Sequence, residues 1–456
     1  MALIDKASLL MVPSTYEAGK LYNVLPSGNR APDNKGGAGY DQTRADFDFD
    51  RGSNAAATRI NSSGLIEKYR ENLLLQSNNF GTTWTSQLIG SITGSQNGFN
   101  DLPDAWLLTP TASSGQHHIR NNISSAPSGV YTFSAYVKAG GKGFAFLQCV
   151  DSGGGNFYGY FNLSDGSSSS NNYGGSGTII QTTTQDVGGG WYRLLMTLNG
   201  SGSNSARIGI ANGAYTGAHS FSTSITDTIY IQSAQLQTGL VATDYLNSTS
   251  VTAKVGVLID LPRINYDANG ENGSLLLEPS RQQLVPESEW FGTYSSNSNG
   301  TGSLPLVYTN NATSPDGYKN ATKIVFDVGS GTTTGDESQI AKNIGGLTTG
   351  ANYTLSFYAK GENGGEEIIA RAVSGAYIKF TLTNEWKRYE LTQSAASTSY
   401  AIWFGLRQGL GGIGTINSNA TIWLWGVQEE AGSYATSYIP NHSGTGGVTR
   451  AADSCS

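Results

Sequence analysis

Tyr131-Thr132-Phe133-Ser134-Ala135-Tyr136-Val137-Lys138 and Tyr353-Thr354-Leu355-Ser356-Phe357-Tyr358-Ala359-Lys360 read as one stretch written twice. In the first, Tyr131, Phe133, Ala135 and Val137 alternate with Thr132, Ser134, Tyr136 and Lys138. In the second, Tyr353, Leu355, Phe357 and Ala359 alternate with Thr354, Ser356, Tyr358 and Lys360. A period of two with one apolar face is what a half-buried antiparallel strand requires, because successive side chains leave a strand on opposite sides.

The repetition extends outward in both directions. Leu65-Ile66-Glu67-Lys68-Tyr69-Arg70-Glu71-Asn72-Leu73 lies without a gap over Leu276-Leu277-Glu278-Pro279-Ser280-Arg281-Gln282-Gln283-Leu284, and Phe80-Gly81-Thr82 meets Phe291-Gly292-Thr293. Pro103-Asp104-Ala105-Trp106 resembles Pro315-Asp316-Gly317-Tyr318, and Trp191-Tyr192-Arg193 answers to Trp386-Lys387-Arg388. The run from Ile229 to Leu246 covers that from Ile422 to Ile439, sharing Gln235/Gln428, Gly239/Gly432, Ala242/Ala435, Thr243/Thr436 and Tyr245/Tyr438. Five blocks in one order imply a duplicated domain. The copies differ mainly by a Gly-, Ser- and Asn-rich insert from Gly153 to Gly190, which reads as a lengthened surface loop.

Composition agrees with strands. The chain has 456 residues, 60 of them Gly, and only 13% are charged, a mixture that disfavours helix and suits short strands joined by turns. Further strands are expected at 144–150, 192–198, 206–210, 229–236, 322–328, 367–372, 388–392, 401–406 and 421–428. The expected fold is all-β: two tandem antiparallel β-sandwich (jelly-roll) modules preceded by an extended N-terminal attachment segment. The expected boundaries are 1–60 for that segment, 61–250 for the first module, 251–273 for a linker and 274–456 for the second module with its tail.

A net charge of −7 without a Lys/Arg cluster argues against nucleic acid as a partner. No apolar run reaches the ~20 residues of a membrane span, so no membrane insertion is expected. The N-terminus, with Asp5 and Lys6, does not read as a secretory signal. Cys149 and Cys455, the two cysteines, are expected to be unpaired.

The segment Asp48-Phe49-Asp50-Arg51-Gly52-Ser53-Asn54-Ala55-Ala56-Ala57-Thr58-Arg59-Ile60-Asn61-Ser62-Ser63-Gly64-Leu65-Ile66-Glu67 resembles one found in bacteriophage virion structural proteins of the head- or tail-fibre type. Lys20-Leu21-Tyr22-Asn23-Val24-Leu25-Pro26 upstream is similar, as are Tyr438-Ile439-Pro440 and Val448-Thr449-Arg450-Ala451-Ala452-Asp453 at the end. Asn72-Leu73-Leu74-Leu75-Gln76-Ser77 and the Tyr131–Lys138 block resemble the carbohydrate-binding-module-like jelly rolls of the same proteins. The resemblance implies a virion protein made in the host cytoplasm, a head fibre, capsid decoration or tail fibre. It would dock on capsid or tail proteins through residues 1–60 and self-associate, as a trimer first and a dimer second. It brings no catalytic signature and no cofactor.

Chemistry-bearing residues are few. The histidines are His117, His118, His219 and His442; adjacent strand positions face opposite sides, so His117 and His118 offer one site a single ligand, and no metal is expected. Glu429 and Glu430 align with Leu236 and Gln237, so a duplicated pair of acids for glycoside hydrolysis is missing, and a depolymerase is the least favoured reading. Glu67/Glu278 and Arg70/Arg281 recur in both copies and read as structural pairs fixing the lead-in to each sandwich. Tyr136, Lys138, Tyr358 and Lys360, on the non-core faces, are the candidate glycan contacts, an aromatic ring stacking on a sugar beside a polar tip. Trp191 and Trp386 read as structural. The two functional readings are therefore a virion structural protein without catalysis and, as the alternative, an adhesin for host or environmental glycan.

Overall fold

The structure, a computed structural model, describes residues 16–17, 20–21, 47–53, 56–123, 126, 128–214, 220–259, 261–267 and 269–455. Among them every regular element is a β-strand. The chain divides into two compact units, residues 70–254 with 442–446, and residues 255–441 with 447–456 and the described part of 1–69. We call these the first and second modules. Residues 61–69 and 255–273, expected in the first module and in a linker, thus belong to the second. The reason is burial: Ile66 packs with Trp425 and Tyr438, and Arg263 is fully buried there. Most of the expected attachment segment, 1–60, lies outside the described residues.

The first module has twelve strands in its two main sheets: β1 (Thr85–Gln87), β2 (Ile89–Gln96), β3 (Ala105–Pro110), β4 (His117–Asn122), β5 (Gly129–Ala139), β6 (Phe144–Asp151), β7 (Asn156–Asn162), β8 (Ser168–Tyr173), β9 (Thr178–Gly188), β10 (Trp191–Gly200), β11 (Ser203–Ile210) and β12 (Ile229–Thr238). One sheet runs β8-β7-β6-β11-β4-β1 and the other β9-β10-β5-β12-β3-β2. The second module has ten: β13 (Ser295–Asn299), β14 (Leu306–Ala312), β15 (Ala321–Asp327), β16 (Glu337–Gly345), β17 (Asn352–Gly361), β18 (Glu367–Arg371), β19 (Ile378–Thr381), β20 (Lys387–Ser394), β21 (Ser399–Arg407) and β22 (Asn419–Ala431). Its sheets run β19-β18-β21-β16-β13 and β20-β17-β22-β15-β14. The two orders are the same, except that the first module adds β8 at one sheet edge and β9 at the other. The pairings are antiparallel throughout, and each module is a β-sandwich of jelly-roll type.

The insert read as a loop is therefore strand. Thr178-Ile179-Ile180-Gln181-Thr182-Thr183-Thr184-Gln185 is β-branched enough to extend, and it covers the otherwise open edge of β10. Phe157 and Phe161 of β7 enter the core beside Phe133, Val137 and Leu147. Burying each such side chain contributes about 1.5–3 kcal/mol.

Both modules share one irregularity. Between Ser134 and Tyr136 the β5–β12 register slips, and between Ser356 and Tyr358 the β17–β22 register slips in the same place. The extra residue has positive φ in each case, Ser233 at 53° and Gly426 at 62°. A conserved bulge at a matched position is the backbone's record of the duplication.

Candidate functional site

The four residues proposed for glycan contact do lie on the non-core face, but that face is covered. In the first module Thr132 Oγ1 donates to the Gly239 carbonyl at 2.9 Å, Arg193 donates to that of Thr243 at 2.6 Å, and the Leu246 amide donates to Gln235 at 2.7 Å. The second module repeats this, with Thr354 to Gly432 at 3.0 Å, Arg388 to Thr436 at 2.7 Å and Ile439 to Gln428 at 2.7 Å. These bonds hold the segment after the last strand across the sheet. Tyr136 then stacks on Phe99 at 3.9 Å, with the Arg193 guanidinium over its other side. Tyr358 packs edge-on against buried Trp425 at 5.5 Å, and Lys360 spans Trp386 and Trp423. Lys138 is half-buried beside Gly190. Tyr136, Tyr358 and Lys360 are engaged within the chain.

The recurring acids and arginines find separate partners. Glu67 pairs with Arg59 at 2.6 Å, whereas Glu278 pairs with Arg263 at 2.9 Å and Arg450 at 3.1 Å. Arg281 reaches Glu430 at 3.7 Å rather than serving Glu278. Asp453 joins the group through Arg51 and Arg263. The segments around 51 and 453, which carry the virion resemblance, are thus clamped together by buried charge. His117 and His118 point to opposite faces, His117 bonding the Leu88 carbonyl at 3.0 Å and His118 facing Phe146; His219 lies outside the described residues.

The open chemistry is on the other sheet. Cross-strand pairing places His118, Gly209, Phe146, Tyr160 and Ser169 in one row on the non-core face of β4, β11, β6, β7 and β8. The next row is Arg120, Arg207, Gln148, Tyr158 and Asn171. Gly209 leaves room for the Phe146 ring, since a Cβ there would stand 2.2 Å from Phe146 Cε1. Tyr158 and Tyr160 stack at 5.8 Å and 13°, flanked by Phe146. A cavity of about 310 Å³ opens against them, lined also by Gln116, Asn212 and Phe221. Arg207 donates to Gln148 at 3.2 Å, Gln148 to Asn156 at 2.9 Å and Gln116 to the Tyr158 hydroxyl at 3.3 Å.

Among the described residues, the buried atoms His118 Nδ1, Arg207 Nε and Ser169 Oγ on this face have no hydrogen-bond partner. Each such orphan costs about 1–3 kcal/mol unless something meets it. Burial, with Arg207 and Arg120 nearby, pushes His118 down to about 3, so its ring is neutral at ordinary pH.

The second module carries a different set at the same place. Gly405 matches Gly209, and the Arg371 guanidinium lies 5.0–5.1 Å from the rings of Tyr377, Tyr400 and Trp403. Tyr377 donates to Gln339 at 3.4 Å, while Gln339 Nε2 and Trp403 Nε1 have no hydrogen-bond partner among the described residues.

Sequence reasoning passed over these residues. Phe157-Tyr158-Gly159-Tyr160-Phe161 is a five-residue alternation of core and non-core aromatics, the one signal that could have found the face, and it fell inside the stretch taken for a loop.

No family model matches the chain, and no curated protein matches it. Among solved structures, it is similar to the tandem CBM22-1–CBM22-2 domain of Paenibacillus barcinonensis Xyn10C, at 11% identity over 84% of this chain and 100% of that one, with a TM-score of 0.25. A CBM4 structure shares 20% identity over 28% of this chain and 87% of its own length, with a TM-score of 0.20. The enzymatically active domain of bacteriophage CBA120 tailspike protein 4 shares 16% identity over 33% of this chain and 21% of its own, with a TM-score of 0.22. Likenesses this distant do not bear on function.

Proposed function

We propose that the chain is a non-catalytic glycan-binding protein whose first module takes a sugar against Tyr158 and Tyr160. One observation carries this reading: stacked tyrosines stand beside buried polar atoms that have no hydrogen-bond partner among the described residues. Sugars present both an apolar ring face and hydroxyls, so a single ligand can cover the rings and complete the polar set. The Arg371 face of the second module is a candidate second platform. The virion setting is a further reading, supported by the resemblance of residues 48–67 and 448–453; immunogold labelling of purified particles tests it.

The direct test is affinity electrophoresis of the full chain in neutral and acidic polysaccharides, with a reducing-end assay run alongside. The double variant Tyr158→Ala/Tyr160→Ala is expected to weaken retention about tenfold or more, roughly 1.4 kcal/mol, while Tyr136→Ala leaves it unchanged. Because His118 is already neutral, retention is expected to stay flat from about pH 5 to 8. Retention by none of the polysaccharides, or loss with Tyr136→Ala alone, would sink the reading; release of reducing ends would overturn its non-catalytic part.

A further inference from the structure

Lys68, at the end of the strand Ile66–Lys68, inserts its ammonium between two buried carboxylates of the second module. Nζ stands 2.6 Å from Asp316 Oδ2 and 2.8 Å from Glu289 Oε1, and those acidic side chains are 2% and 1% exposed. The Trp425 ring lies 5.3 Å from the ammonium. Each acid is fixed. Asp316 Oδ1 accepts from Ser314 Oγ at 2.7 Å and from the Tyr318 amide at 3.0 Å. Glu289 accepts from the Tyr438 hydroxyl at 3.1 Å and from Asn320 at 3.2 Å.

An amine nitrogen 2.6 Å from a carboxyl oxygen, a second acid within reach of its protons, and two donors on the other oxygen together make the parts of an acyl-transfer site. We propose that Lys68 and Asp316 condense without outside help into an amide cross-link, with Glu289 carrying the protons. Glu289 relays one proton from the Lys68 ammonium to Asp316 Oδ2, and the freed amine then forms a bond from Nζ to Cγ of the neutral carboxyl group. Negative charge collects on Oδ1, where Ser314 Oγ–H and the Tyr318 N–H meet it. A second proton from nitrogen passes through Glu289 to Oδ2, the Cγ–Oδ2 bond breaks, and water leaves. Nothing is oxidised or reduced.

Condensation removes one positive and one negative charge from a buried site, while the Glu289 carboxylate stays behind and keeps its bonds from Tyr438 and Asn320. Burial opposes the Lys68 charge, yet Asp316 and Glu289 outweigh it and hold the ammonium above its ordinary value; burial likewise opposes the Asp316 carboxylate, yet Lys68 holds it below. Deprotonation of Lys68 therefore works against the two carboxylates that hold it. The amide would close a ring containing all of residues 69–315, so tension applied between the chain's ends would pass across it and bypass the first module's residues 70–254.

The first module is an internal control. Asp104 matches Asp316, but Asn78 stands where Glu289 does and Gln232 where Trp425 does, and Gln232 donates to Asp104 at 2.6 Å.

Intact mass spectrometry of the denatured full chain tests the proposal. The mass is expected to be one water below that of the sequence, with a digest peptide joining Lys68 to Asp316. Lys68→Arg and Glu289→Gln are expected at full mass, and Asp316→Asn is expected to cross-link with loss of one ammonia instead. Folded wild-type protein at full mass, yielding Lys68 and Asp316 on separate linear peptides, overturns it even if a variant fails to fold. A water lost elsewhere in the digest does the same.

Discussion

The two modules hold the same backbone by matched bonds and differ in the strands added at two sheet edges and in the side chains on their non-core faces. Ser77 bonds Tyr245 at 2.7 Å and Ser288 bonds Tyr438 at 2.6 Å. Asn72 accepts the Leu236 amide at 3.1 Å, and Gln283 accepts that of Glu429 at 2.8 Å. Thr132 meets Thr197, and Thr354 meets Thr392. These are bonds from side chains to backbone or to a facing hydroxyl, and they survive divergence because they fix the path of the last segment. Where the modules part, they part by chemistry: amides around Asp104 against charges around Asp316, and stacked tyrosines against a caged arginine.

The largest effect expected from pressing on this contrast is at Glu278 and Glu67, matched in sequence but not in setting. Glu278→Ala leaves Arg263 and Arg450, both fully buried, short of a counter-charge and is expected to destabilise the second module by about 3–5 kcal/mol. Glu67→Ala breaks one half-exposed pair and is expected to cost about 1 kcal/mol or less. Denaturant unfolding of the full chain reads both, and equal losses would mean the buried cluster is not the clamp its geometry implies. Acid sharpens the same point. Burial opposes the Glu278 charge, but Arg450, Ser437 and Arg263 outweigh it and hold its carboxyl below the ordinary 4.5. A carboxylate with a depressed folded value contributes stability above its unfolded value and loses it as pH falls through the folded one. The second module is therefore expected to weaken below about pH 4.5, and Glu278→Ala to flatten that dependence.

Much of this fold was legible from alternation. The stretch 131–138 lies inside β5, and 367–372 and 401–406 match β18 and β21 within two residues. What alternation could not show is what covers a face. Tyr136 and Tyr358 were placed on the correct side of their strands, but the segment after Thr238 that crosses one sheet, and Phe99 on the Tyr136 ring, are contacts of long sequence separation that no local pattern encodes. The insert failed for a different reason. Strands β8 and β9 are edge strands, and an edge rich in Ser, Thr and Asn carries the composition of a loop while its backbone pairs as a sheet. Lys68 was within the aligned block from the start, yet its meaning depends on Glu289 and Asp316, more than two hundred residues away in sequence, and on the folded lead-in that delivers it.

The smallest expected effect tests the bulge that both modules share. At Gly426, with φ of 62°, a Cβ would stand 3.3 Å from both the Tyr358 and Tyr438 rings, so Gly426→Ala adds crowding to left-handed backbone strain. The cost is expected at about 1–2 kcal/mol. Ser233 already bears a Cβ in the same conformation, φ 53°. Ser233→Ala removes only a hydroxyl that reaches Tyr245 and is expected to cost about 0.5–1 kcal/mol. If Gly426→Ala were the milder of the two by unfolding midpoint, the bulge in the second module would have to relax where the first does not. The shared backbone record would then be a coincidence of register rather than a constraint inherited by both copies.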